Sequence, residues 1–210
     1  MGNDMYRVFL ALWIIGATAC SNNNTADDET TAVPAPSESV VTSLEEEDSV
    51  LKAHEDIAWD EIEGIQLSRV MINNKVPLHT SLSRFKAAFG EADSLVTPDW
   101  TSICDAQFED EFEYFYKNGS RFELYKDSLA CDEFRLTPTQ TVSYGGITFS
   151  HNTTWADMKK RFPKAVRQAE NEGYTDMITL RDADVKESDS SVRFFFENGK
   201  LIRIVYFIPC

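Results

Sequence analysis

Thr153-Thr154-Trp155-Ala156-Asp157-Met158-Lys159-Lys160-Arg161-Phe162-Pro163 decides how this chain is read, because its pattern occurs earlier as Thr80-Ser81-Leu82-Ser83-Arg84-Phe85-Lys86-Ala87-Ala88-Phe89-Gly90. The two stretches lie 73 residues apart (153 minus 80). In each, apolar residues fall at i, i+3 and i+7: Leu82, Phe85 and Phe89 in the first, Trp155, Met158 and Phe162 in the second. That spacing puts all three on one face of a helix packed against a sheet. Thr80 or Thr153 is placed to cap the helix, and Gly90 or Pro163 to end it.

A second match follows in the same order, 80 residues apart (194 minus 114): Tyr114-Phe115-Tyr116-Lys117-Asn118-Gly119 and Phe194-Phe195-Phe196-Glu197-Asn198-Gly199. Asn-Gly between aromatic, alternating segments is the strongest short-range signal for a two-residue β-hairpin. Asn73-Asn74 and Gly145-Gly146 mark weaker hairpins ahead of each helix, and Met177 to Leu180 reads as a further strand. The fold expected is α+β, in two tandem repeats over residues 64–140 and 141–210, each a helix packed on antiparallel hairpins.

Outward from this region the composition changes. Residues 21–63 hold thirteen acids and one base, Lys52, whereas residues 64–210 hold twenty-one acids and eighteen bases. With Ser, Thr, Asn and Pro making up much of the rest, residues 20–63 read as an acidic, disordered linker. The folded part has too little net charge to suggest nucleic acid as a partner. At the N-terminus, Arg7 precedes an apolar run from Val8 to Ile15 and then Gly16-Ala17-Thr18-Ala19-Cys20. That run is less than half of the roughly 20 residues a membrane span needs, so residues 1–19 read as a secretory signal. Ala17-Thr18-Ala19-Cys20 resembles the lipobox of bacterial lipoproteins, although Ala17 stands where the family prefers Leu. The resemblance implies cleavage before Cys20, lipid on its thiol, and a cell-envelope location, expected to be the outer membrane.

The capped helix from Thr153 to Phe162 and the final-strand motif Phe196-Glu197-Asn198-Gly199-Lys200-Leu201 together resemble the SmpA/OmlA-like lipoproteins and the tandem-repeat β-lactamase inhibitor family. The first repeat offers Thr80 to Gly90 and Tyr116 to Phe122 in the same roles. The resemblance implies a non-enzymatic envelope protein whose sheet binds another protein, as a scaffold or an inhibitor does. An envelope carrier or sensor of an apolar or lipid ligand is the alternative, and an enzyme the less favoured one.

Motifs that carry catalysis or hold a cofactor are missing: the chain has no Gly-x-Ser-x-Gly elbow, no His-Glu-x-x-His and no phosphate-cradling glycine loop. No catalytic residue, cofactor or metal site is therefore expected. Asp182, Asp184, Glu187 and Asp189 lack the spacing and the glycine of a calcium loop. If Cys20 carries lipid, three cysteines remain in an oxidising compartment and one of them is left over. The repeat favours Cys104 with Cys131, closing a loop worth about 3.5 kcal/mol in the chain-entropy model. A bond between Cys131 and Cys210 is the alternative.

Hairpin register sorts the strands into faces. Phe115, Phe122 and Leu124 share one side, with Phe195, Ile202 and Ile204 as their second-repeat counterparts, and this side is expected under the helices. The other side collects Phe112, Tyr114, Tyr116, Arg121 and Tyr125, then Phe194, Phe196 and Arg203. Tyr and Arg are enriched where proteins bind, so these eight form the expected partner face. Lys159, Lys160, Lys164 and Arg167 make a cationic helix side that suits anionic headgroups or an acidic partner. Lipid on Cys20 makes the first testable point: Cys20→Ser is expected to release the protein from membranes and to abolish incorporation of labelled fatty acid, while retention of either would refute the anchor.

Overall fold

All four two-residue turns read from the sequence form. Asn73-Asn74, Asn118-Gly119, Gly145-Gly146 and Asn198-Gly199 each place both residues in the left-handed region, with φ between 48° and 80°. Two successive left-handed residues are what a hairpin turn of matching twist requires, and Asn and Gly tolerate them best.

The computed structural model describes residues 57–103, 106–184 and 189–210. Their strands are β1 (Gly64–Ile65), β2 (Met71–Ile72), β3 (Val76–Pro77), β4 (Thr80–Ser81), β5 (Ser94–Val96), β6 (Glu113–Lys117), β7 (Ser120–Tyr125), β8 (Ser128–Arg135), β9 (Val142–Tyr144), β10 (Ile147–Phe149), β11 (Met177–Asp182), β12 (Ser191–Glu197) and β13 (Lys200–Phe207). The helices are α1 (Leu82–Phe89), α2 (Trp155–Arg161) and α3 (Pro163–Asn171). The fold is α+β.

The large sheet runs β1-β11-β12-β13-β8-β7-β6-β5, with β4 joined to β8. A small sheet runs β10-β9-β2-β3, so its two hairpins meet through antiparallel β2 and β9. Helices and small sheet cover one face of the large sheet. Phe85 of α1 packs edge-on to Phe115 at 5.5 Å and Phe122 at 4.9 Å, Trp155 of α2 meets Phe196 at 5.5 Å, and Phe149 of β10 meets Phe194 at 5.3 Å. Phe85 is fully buried, and truncating such a ring costs about 3–5 kcal/mol.

Local signals hold with small corrections. Residues 57–63, expected in the disordered linker, belong to the fold: Ile62 is buried in the core and Glu63 accepts the backbone N–H groups of Lys164 and Ala165 at 3.0 and 2.8 Å. The caps are Ser81 and Thr154, each one residue beyond the expected threonine, and Thr154 with Asp157 forms a reciprocal capping box. Pro163 does end α2, yet it also opens α3 as its first residue, where a missing N–H costs nothing. The cationic helix side is largely neutralised: Lys159 pairs with Glu170 at 2.8 Å, Lys164 with Glu61 at 3.0 Å, and Lys160 lies 3.9 Å from Asp157.

The cysteine reading requires a larger correction. Cys131 is a free thiol, buried in the core and paired in register with Phe122 on the covered face. Burial pushes its thiol well above the usual range. The segment ahead of Cys104 runs over the opposite face, where Ile103 lines a cleft with Tyr114 and Asp132. With Cys131 a free thiol directed into the core, neither bond expected for it forms. Cys20 and Cys104 lie outside the described residues. Cys210 is disulfide-bonded, and Ile103 and Ile208 line one cleft. Non-reducing peptide mapping is expected to return Cys210 in a disulfide and Cys131 as a thiol that alkylates only after unfolding. Native alkylation of Cys131, or its recovery in a disulfide, would contradict this.

Candidate functional site

The face opposite the helices is built in rows, because each strand presents alternate residues to it. One row crosses five strands: Tyr116, Arg121, Glu133, Val205 and Arg193 are successive register partners. A second joins Tyr114, Glu123 and Ala130, and a third joins Arg135, Arg203, Phe195 and Met177. Among the described residues no helix lies on these rows. The β5–β6 connection crosses part of the face: Trp100 packs on Phe112 at 5.1 Å, Phe112 on Tyr114 at 5.3 Å, and Phe108 on Tyr125 at 5.5 Å.

Of the eight expected partner-face residues, Tyr114, Tyr116, Arg121, Tyr125 and Arg203 are half-buried on this side. Phe112, Phe194 and Phe196 are corrected. Phe112 is 3% exposed, because the crossing segment folds Trp100 over it. Phe194 and Phe196 belong to the covered face, where they meet Phe149 and Trp155. Their place on the open face is taken by Phe195, which had been expected in the core. In Val192-Arg193-Phe194-Phe195-Phe196-Glu197, Arg193 and Glu197 share the parity of Phe195, and burying that set would bury two charges. Ile202 is the extra residue of a bulge, since Phe196 pairs with Leu201 and Phe195 with Arg203. The bulge returns Ile204 to the core.

Charge on the face is matched locally. Arg121 is ion-paired to Asp132 and sits 4.8 Å from the Tyr114 ring centre. Arg203 donates to Glu133 at 3.3 Å and stacks 4.2 Å from Phe195. Arg193 lies 3.3 Å from the Phe207 ring centre. Beside Arg121 opens a cleft of about 480 Å³ between the crossing segment and the end of β13, lined in part by Pro98, Tyr114, Glu123, Asp132 and Phe207. Its charged lining gives no support to an apolar-ligand cavity.

Glu123, absent from the sequence-based expectation, anchors the crossing segment by accepting the backbone N–H of Gln107 at 2.8 Å. Burial pushes its carboxyl up to about 7, and raises Asp132 as well against the pull of Arg121. The alternation Arg121-Phe122-Glu123-Leu124 carried the signal, for Glu123 shares the parity of Arg121. His79 lies edge-on to Tyr206 at 6.5 Å, and burial lowers its pKa. Among the described residues no three His, Cys, Asp or Glu side chains are grouped to hold a metal ion.

No family model, curated protein or solved structure matches the chain.

Glu123 makes stability depend on pH with a definite sign. Its folded value of about 7 lies above the ordinary 4.5, so the folded state binds more protons between those values. Stability due to this group therefore falls as pH rises from about 4.5 to 7. Glu123→Gln keeps an acceptor and cannot ionise. Melting curves from pH 5 to pH 8 are expected to show the variant gaining on the wild type as pH rises; a gap independent of pH would remove Glu123 as the cause.

Proposed function

We propose that this chain is a lipid-anchored cell-envelope protein whose folded region binds another envelope protein through the helix-free face of its large sheet. One observation carries the reading: Tyr114, Tyr116, Arg121, Phe195 and Arg203 stand half-exposed on a face that, among the described residues, no helix covers. Such side chains add large contact area with polar ends, and both arginines are already held against aromatic rings. The tandem-repeat reading belongs to the same proposal. It is supported by β6–β7 and β12–β13, the two Asn-Gly hairpins, lying on either side of the pairing between β8 and β13, and by the meeting of β2–β3 with β9–β10. In this reading the SmpA/OmlA-like resemblance describes the architecture. The leader, Cys20 and the acidic linker supply anchoring and reach, and rest on the sequence.

The proposal assigns no reaction to the face. Glu123 and Asp132 are engaged by Gln107 and Arg121, so neither is presented as a free acid or base. Crosslinking and capture from membranes with the intact lipoprotein test the reading when paired with surface variants. Tyr114→Ala and Tyr116→Ala are each expected to weaken capture of the same partner by about 1 kcal/mol, roughly fivefold, with little change in melting temperature. Unchanged capture by both variants would overturn the proposal. So would a fall in stability large enough to mark the two tyrosines as core.

A further inference from the structure

The large sheet ends at β5, and its side-chain rows run out to solvent there. Leu95 continues the covered-face row of Phe115 and Phe122, and Val96 continues the opposite row of Tyr114 and Glu123. Yet Leu95 is 52% exposed and Val96 45%. Trp100, close in sequence, is 38% exposed, so three of the five exposed large apolar residues among those described gather at this edge. The other two, Trp59 and Tyr174, line a separate cleft beside α3. Asp93 to Thr97 are all exposed, and among the described residues no strand pairs with the free side of β5. An extended edge with apolar side chains on both faces is a template for one more strand.

Charge decides what kind of strand. From Glu91 to Tyr116 the chain has eight acids and no base. Lys86 and Lys117 neutralise Glu91 and Asp93, at 2.7 and 2.9 Å, whereas Glu109, Glu111 and Glu113 stay exposed. A cleft of about 440 Å³ at this end is walled by Trp100 and Phe112 and flanked by Glu111 and Glu113. Its one base, Lys126, lies 4.4 Å from the Tyr125 ring centre. A long cationic side chain suits such a cleft, with rings below and carboxylates beside it. A second copy of this chain would bring the same acids to the edge, and residues 21–56 carry ten acids and one base. Like charge disfavours both as occupants.

We infer that β5 is a docking edge for an extended segment of another protein, one that alternates apolar with basic residues and adds a strand beside Ser94–Val96. Its apolar residues cover Leu95 and Val96, and a basic residue enters the cleft beside Trp100. This edge adjoins the helix-free face at Ser94 and Val96, and a variant on that face far from β5 separates the two tests.

The probe is a fluorescent peptide alternating lysine with valine, titrated onto the full chain in detergent and followed by anisotropy. Saturable binding is expected, weakened by salt and retained in Arg203→Ala, a variant of the helix-free face four strands away from β5. The double variant Leu95→Ser and Val96→Ser, with an unchanged melting temperature, is expected to weaken it by roughly tenfold or more. The same peptide with alternate backbone amides N-methylated keeps its charge but cannot pair as a strand, and is expected not to bind. A glutamate–valine peptide is expected not to bind either. The inference falls if the lysine–valine peptide does not bind, if its N-methylated form or the acidic peptide binds equally well, or if the double variant binds unchanged. A wild-type dimer in sedimentation that the double variant abolishes would also overturn it, by making a second copy the occupant.

Discussion

Three register pairs, Arg203 with Arg135, Ile204 with Phe134 and Val205 with Glu133, join β13 to β8 and make one sheet of the two halves. The rest of the molecule follows from that short seam. It sets Ile204 and Phe134 side by side in the core and turns Arg203, Arg135, Val205 and Glu133 together to the opposite face. With both halves locked into one sheet, α1, α2 and the small sheet can all cover the same side. The opposite side is then left to the rows of Tyr, Arg and Glu.

Because the seam is short, something must fill the space beyond it. β7 takes one edge of β8, so β13 and β4 share the other, with β13 at Glu133–Arg135 and β4 at Ser128–Leu129. Past the seam, Tyr206 donates to Asp182 at 2.8 Å and lies 3.0 Å from the Ser190 hydroxyl. Asp182 is 5% exposed and also accepts the backbone N–H of Asp184 at 2.8 Å, while Asp184 accepts both the N–H and the hydroxyl of Ser68. A carboxylate buried this deeply is tolerable only with such donors around it. Asp182 and Asp184 thus tie β11 to β13 and to the Leu67–Arg69 turn, a structural role that their acid-rich loop did not announce.

How far the sequence was legible depends on whether a feature is local. The four turns, the amphipathic helices and the aromatic strands rest on signals within a few residues, and all form close to where they were read. Faces are also local, but only when polar parity is weighed with the hairpin register. Matching the β12–β13 hairpin to the β6–β7 hairpin through Asn-Gly alone exchanged Phe195 for Phe194 and Phe196, since the bulge at Ile202 changes what lies inside. Long-range facts were less accessible. That Cys131 is directed away from the segment containing Ile103 depends on which face that segment crosses, and no local pattern encodes a crossing. Burial of Phe112 beneath Trp100 depends on the same path.

The helix-free face is charged yet internally matched, and this shapes what it can contribute to binding. Arg121, Arg193 and Arg203 each rest on a ring, and Arg121 and Arg203 also have carboxylates, so their rotamers are restrained before any partner arrives. Restraint of this kind lowers the entropy lost on association. A partner must still remove water from groups that already satisfy one another, and pairs of this sort return little net energy when buried. Attraction on this face therefore falls mainly to the rings of Tyr114, Tyr116 and Phe195, while the ion pairs select against surfaces that would leave a charge unmatched. The β5 edge is the opposite case, with apolar side chains uncovered and acids in excess over bases. Two surfaces of one sheet thus differ in kind, one ordered and selective, the other incomplete and attractive to a basic strand.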